Sequence, residues 1–297
     1  MIHLLSGDSM TPHLDRAGIE GDRIVWREAL VDGPAPGGVT LDEFRRARAD
    51  FVAESYGEDR ARVLADLEAL DRAVESIPPD EEVVFWFDRD LFCRVNLGCA
   101  AHRLGDHRGT LRLVERERFL CELRPEELRE AFDSRVELGR EAAELWEAYA
   151  APTPERLNAL SASHSFAALH LSRFPSAASG VGSVGEAILR ISSLGEIRFT
   201  DLFKAFSRDD AAFGFGDLQV LNEITRLATL LDPLLVLDIG LGDSLSATID
   251  ITDRGRRVMN GSEKLNPGEI DVWLGGVHVT ARALWEWDEE AKLARLA

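Results

Sequence analysis

The stretch EVVFWFDRD, residues 82–90, decides the fold. Its first six residues run almost without a polar break, as in a strand buried on both faces rather than one with a wet side. It is bounded before by Pro78-Pro79 and after by Asp88-Arg89-Asp90. Working outward, IHLL (2–5) is a strand that stops at Gly7-Asp8-Ser9, and Thr11-Pro12 has the form of a cap and first turn opening a short helix. DRIVW (22–26) is a second strand, ending in Arg27-Glu28 and the turn-rich VDGPAPGG. Apolar residues at Phe44, Phe51, Val63, Leu67, Leu70 and Val74 recur at helical spacing, predicting two helices broken near Gly57. A helix follows over 91–104, and TLRLV (110–114) is a fourth strand. Strands alternating with helices predict a parallel sheet, because parallel neighbours need helical crossovers.

Composition bounds the rest. The chain has 297 residues, 45% hydrophobic and 29% charged, enough for two domains with their own cores. A net charge of −19 repels phosphate backbones and anionic lipid, so nucleic acid is a disfavoured partner. No apolar run approaches the roughly 20 residues that span a bilayer, and Met1 leads straight into a strand, so a cytoplasmic protein without membrane contact is expected. Three cysteines, Cys93, Cys99 and Cys121, lack paired C-x-x-C spacing and read as free, mostly buried thiols.

The predicted layout is an α/β, Rossmann-like parallel-sheet domain over 1–122, a helical connector over 123–175, a winged-helix-like domain over 176–262 and a C-terminal tail over 263–297. PEELREAFDSRVELGREAAELWEAY (125–149) carries an amphipathic helical pattern, and the small-residue stretch FPSAASGVGS (174–183) is the best boundary. Beyond it lie a helix at EAILRISSLG, a brief extended IRF, a helix capped by Thr200, and a longer one, GDLQVLNEITRLATLL, capped near Asp217. Two strands, LLVLDI and LSATIDI, flank the turn GLGDS, and a capped helix, TDRGRRVMNG, closes the set. Three helices followed by a β-ribbon is the winged-helix arrangement. Its second long helix offers Gln219, Asn222 and Arg226 for base readout but also Asp217 and Glu223, and the wing turn is acidic. These charges suit a protein partner or self-association better than DNA. Arg254, Arg256 and Arg257 form the basic cluster of the closing helix, with pairing to acidic neighbours as the plain explanation.

Ligands of open parallel sheets bind beyond the carboxyl ends of the strands. Those ends carry Gly7-Asp8-Ser9, Arg27-Glu28 and Asp88-Arg89-Asp90. Carboxylates gathered with an arginine can hold a divalent metal, orient a small polar or anionic ligand, or raise one carboxyl pKa for general-acid work. The competing explanation is that they cap helices and pair with one another. Asp8, with Asp88 or Asp90, is the candidate metal-binding or acid/base pair, Arg27 the candidate to neutralise an anionic group, and the Gly7–Ser9 backbone the close approach. The Gly-Asp-Ser trio resembles the nucleophile loop of the GDSL (SGNH) esterases, which would make Ser9 the nucleophile, but the Asp-x-x-His element that class supplies occurs nowhere in the chain. Neither G-x-G-x-x-G nor a P-loop Gly-Lys-Ser/Thr is present in SGDSMTPH. The histidines show no metal-ligand spacing. Trp26 and Trp86, at strand ends, are core fillers first and stacking platforms second.

HLLSGDS, IVWREALVDGP and FWFDRDLFCRVNL, in that order, resemble the bacterial family catalogued as domain of unknown function 1835. The resemblance covers roughly the first 120 residues by that motif reading. Similar members continue into a half with a Gly-Asp-x-Gln helix, here Gly216–Gln219, and a tail like DVWLGGVHV ending near Trp285–Asp288. The resemblance attaches no reaction. It places interest on His3, Gly7, Asp8, Ser9, Trp26, Arg27, Glu28, Asp88 and Asp90; among them the residue chemistry makes Asp8, Ser9, Glu28, Asp88 and Asp90 the candidate catalytic residues and His3, Gly7, Trp26 and Arg27 the candidate ligand-binding ones.

Overall fold

The computed structural model describes residues 1–239 and 246–297 and divides into two units, Met1–Val31 with Gly37–Ala150, and Asp32–Pro36 with Ala151–Ala297. The turn GLGDS lies outside the described residues.

The first unit begins β1 (Ile2–Ser6), α1 (Met10–Arg16), β2 (Asp22–Trp26). After β3 (Gly33–Pro34), which belongs to the second unit, come α2 (Leu41–Tyr56), α3 (Arg60–Glu75), β4 (Val83–Trp86), α4 (Leu91–Arg103) and β5 (Leu111–Val114). It closes with α5 (Pro125–Asp133), β6 (Val136–Glu137) and α6 (Glu141–Tyr149). The sheet order is β2-β1-β4-β5-β6, parallel except for the β6 edge. All four residues of β4 are buried, as its unbroken apolar run requires. One sheet face, with Leu5, Val84, Trp86 and Val114, packs on Met10, Leu14 and Leu128 of α1 and α5. The other carries Ser6 and Trp26 and meets α4, a helix apolar nearly all round and buried accordingly.

Two local expectations are corrected. α1 starts at Met10 with Ser9 at the cap position, so Thr11 lies inside the first turn. The stretch 125–149 is not one helix. Arg135 donates to Glu82 and Val136 pairs with Leu113, which turns the chain into a short edge strand and leaves two helices, α5 and α6. Side-chain periodicity is blind to that interruption, because the break is made by partners elsewhere in the chain.

The second unit holds α7 (Glu155–Leu160), α8 (Ser165–Leu171), α9 (Ser183–Ser192), β7 (Ile197–Arg198), α10 (Phe199–Asp209) and α11 (Asp217–Ala228). These are followed by β8 (Leu235–Asp238), β9 (Thr248–Ile251), α12 (Asp253–Met259), β10 (Asp271–Gly275), β11 (Val277–Thr280), β12 (Trp285–Asp288) and β13 (Leu293–Leu296). The antiparallel sheet β7-β9-β8 accompanies α9, α10 and α11 in the predicted order. Caps differ in detail: α10 begins at Phe199 after Arg198, and α11 is capped at Gly216, whose N–H donates to Gln219. Thr252 does cap α12.

The helices over 123–175 fall on both sides of the division at Ala150, and residues 174–183 are packed inside the second unit rather than linking units. Phe174 and Val181 are fully buried there, and the Ser183 N–H donates to Ser172. Residues 263–297 likewise build the sheet β11-β10-β3 and the β12-β13 hairpin instead of trailing as a tail.

Candidate active site at the strand ends

In the first unit, β1 connects to β2 on one side, and the chain then crosses to β4 on the other side of β1. The strand order therefore reverses between β1 and β4, the position where open parallel sheets leave a crevice. Ser6, Asp88, Asp90 and Cys93 meet there. Asp90 caps α4, its Oδ1 accepting the Cys93 N–H at 2.8 Å. Cys93 Sγ lies 3.3 Å from Ser6 Oγ. Asp88 Oδ1 accepts the Leu120 N–H at 2.9 Å, tying the turn Leu120–Glu122 to the end of β4.

Burial sets the electrostatics. It lifts the Asp88 carboxyl to about 6, helped by the charges of Asp90 and Glu122 and opposed by the Leu120 N–H. Asp90 is raised by burial as well, against the donors from Cys93. Burial, with Asp90 and Asp88 adding repulsion, pushes the Cys93 thiol far up and keeps it protonated. Nearby arginines are spent elsewhere: Arg89 pairs with Glu115 and Glu117, and Arg94 with Glu115.

One ligand atom each from Asp88, Asp90 and Cys93 lies within 4.8 Å of the others, close enough to reach one ion. The donor chemistry fits a metal poorly. Magnesium and calcium take oxygen, so a thiol is misplaced. Zinc takes a thiolate together with histidine or more cysteines, whereas this set holds one thiol, in contact with a serine, and no imidazole.

Asp8 and Arg27 are brought together but away from that cluster's chemistry. Arg27 Nε donates to Asp8 Oδ2 and Nη2 to Oδ1, both at 2.7 Å, in an exposed bidentate pair joining the ends of β1 and β2. The guanidinium holds Asp8 below the usual carboxylate range. Gly7, with φ of 88°, makes the turn that lets its N–H donate to the Trp26 carbonyl at 3.1 Å.

The remaining expectations change role. Ser9 is exposed, makes no side-chain capping bond and has no base hydrogen-bonded to it among the described residues, so the nucleophile role is not assembled. Glu28 is committed to the fully buried Arg48, whose Nε donates at 3.0 Å, and its carbonyl accepts from Asn96. Trp26 is a core residue beside the Arg103 guanidinium. His3 sits near the opposite, amino end of β1, with Nε2 on the Glu20 carbonyl at 3.1 Å and Nδ1 accepting from Trp86 Nε1 at 3.0 Å. Burial lowers its pKa, so it stays neutral and has no nitrogen to offer a ligand.

Composition hides Ser6 and Cys93 among ordinary apolar neighbours. The visible signal is Asp90-x-x-Cys93, the cap spacing that brings residue i+3 back onto the carboxyl. No family model matches the chain, and no curated protein matches it.

Proposed function

We propose that the crevice between β1 and β4 binds a small polar ligand and that Asp88 exchanges a proton with it. The observation carrying this is the half-buried Asp88 carboxyl, lifted to about 6 beside Asp90 at the sheet's reversal point. A carboxyl poised there serves as acid or base near neutrality, and hydrolysis or group transfer are the reaction classes that use one. Ser6 and Asp90 orient the ligand; Arg27 meets an anionic group, such as a phosphate, only by exchanging its Asp8 partner. The resemblance to domain of unknown function 1835 supports interest in this loop set, and a bacterial, cytoplasmic protein goes with it.

The test is a thermal-shift screen against nucleotides, sugar phosphates and polyols with wild type and Asp88→Asn. A compound that stabilises wild type as its concentration passes Kd, and stabilises the variant less, supports the crevice. Equal stabilisation of both proteins places binding elsewhere and sinks the claim.

A second reading concerns the second unit, whose order of helices and strands suits a winged helix used for protein contact. The supporting observation is that the three side chains of α11 suited to base readout, Gln219, Asn222 and Arg226, are occupied within the chain. Gln219 accepts from the Gly216 N–H, Asn222 donates to Asp32, and Arg226 is bidentate to Glu223. Base readout needs those groups free.

A further inference from the structure

Three arginines are buried among the described residues, Arg48, Arg173 and Arg254. Two of them have the counter-ion that a buried guanidinium requires, Arg48 in Glu28 and Arg254 in Glu269 and Glu263. Arg173, just past the end of α8 and 8% exposed, has none. It makes no ion pair among the described residues, although the chain carries 53 acidic side chains.

What holds Arg173 is weaker than a charge pair. Its Nη1 donates to His170 Nδ1 at a long 3.4 Å, and its Cζ lies 5.1 Å from the centre of the Phe215 ring. His170 is fully buried, and burial together with the charge of Arg173 keeps its pKa well below the usual imidazole range. It is a neutral acceptor and supplies no counter-charge. All three residues belong to the second unit.

An aromatic ring covers the face of a guanidinium and leaves its edges open. With Nη1 on His170, the open edge is Nε with Nη2, which have no acceptor among the described residues and are not sealed from solvent. The same edge takes two oxygens elsewhere in the chain, from Asp8 at Arg27 and from Glu223 at Arg226.

We infer that Arg173 anchors an anion site in the second unit, where its Nε–Nη2 edge takes one phosphate or carboxylate group of a small molecule. That group supplies the counter-charge that Glu28 and Glu269 supply to the other two buried arginines, and the small exposed area limits the approach to one such group. The site does not rest on the crevice reading of the first unit.

The experiment is hydrogen exchange followed by mass spectrometry on the full chain at neutral pH. Inorganic phosphate or acetate replaces sodium chloride at fixed ionic strength, with wild type, Arg173→Lys and Arg173→Met. Exchange that needs the site to open slows as the anion stabilises the closed form, about tenfold at ten times Kd. Saturable slowing over 167–176 and 213–216 by at least one of the two anions is expected in wild type, and the anion that acts identifies the group. Arg173→Met is expected to abolish the slowing. Arg173→Lys, which keeps the charge without the fork, is expected to need about tenfold more anion, and it decides the matter if the methionine variant does not fold. Absence of slowing by both anions in wild type overturns the site. So does slowing that either variant retains in full, or that extends equally to β1 and β4 of the first unit, because the anion then acts elsewhere or as a general salt.

Discussion

At residue scale, Asp88 and Glu28 are both acids just past the end of a parallel strand but opposite in physics. Asp88 is raised because its ionised form is poorly solvated and faces like charge, so folding favours its proton. Its folded pKa lies above the unfolded one, and ionisation therefore costs stability once the pH passes about 4 and fully above about 6. Asp88→Asn, which can still accept from Leu120, is expected to raise stability by about 1–2 kcal/mol at pH 8 and to change nothing near pH 3.5. Urea unfolding at the two pH values checks it, and destabilisation at pH 8 refutes it. Glu28 instead neutralises a fully buried guanidinium. Glu28→Ala leaves Arg48 without its counter-ion and is expected to cost about 3 kcal/mol, far more than Asp8→Asn, whose exposed pair is worth about 1 kcal/mol or less. Comparable losses for the two would show that burial of Arg48 does not set the cost.

At the scale of elements, α5 is held by the sheet face rather than by its own propensity. Its Leu128 is fully buried among Leu5, Met10 and Trp86, and Phe132 stacks on Trp86 at 5.8 Å between ring centres. Leu128→Ala is expected to cost about 2–4 kcal/mol by chemical denaturation. An ion cluster ties α12 to the segment leading into β10: buried Arg254 is bidentate to Glu269 at 2.7 and 2.8 Å and also pairs with Glu263. Hydrogen bonds from Arg254 bring Glu269 down to about 2. A depressed carboxyl contributes stability above its unfolded pKa that is lost as the pH falls through the folded value, so the window is about pH 4.5 to 2. Glu269→Gln should lower the melting point at pH 6 and close the gap to wild type near pH 2. A gap that persists at acid pH assigns the loss to packing.

At the scale of the molecule, the charge of −19 and the internally occupied α11 act in the same direction. Fluorescence anisotropy at 150 mM salt should show no saturable binding of duplex DNA, since repulsion is the long-range term and Gln219, Asn222 and Arg226 of α11 are already hydrogen-bonded within the chain. Submicromolar, saturable binding would falsify the protein-contact reading of the second unit.

What the sequence determined by itself was whatever depends on near neighbours along the chain. Apolar periodicity placed β1, β2, β4, β5, α2, α3 and α4, alternation implied the parallel sheet, and the charged strand-end turns marked the crevice. Those signals repeat every two or 3.6 residues and need no partner to be seen. The tertiary structure decided what depends on distant partners. Glu28 and Asp88 look alike until Arg48 is found 20 residues from one, and Leu120 and Asp90 around the other. His3 could line a site until β1 direction puts it at the far end. Val136 could continue a helix until β5 offers its edge. The turn VDGPAPGG could be a loop until β10, some 240 residues later, takes its middle as a strand. Burial, and with it pKa and role, belongs to surroundings assembled from across the chain, which local pattern cannot contain.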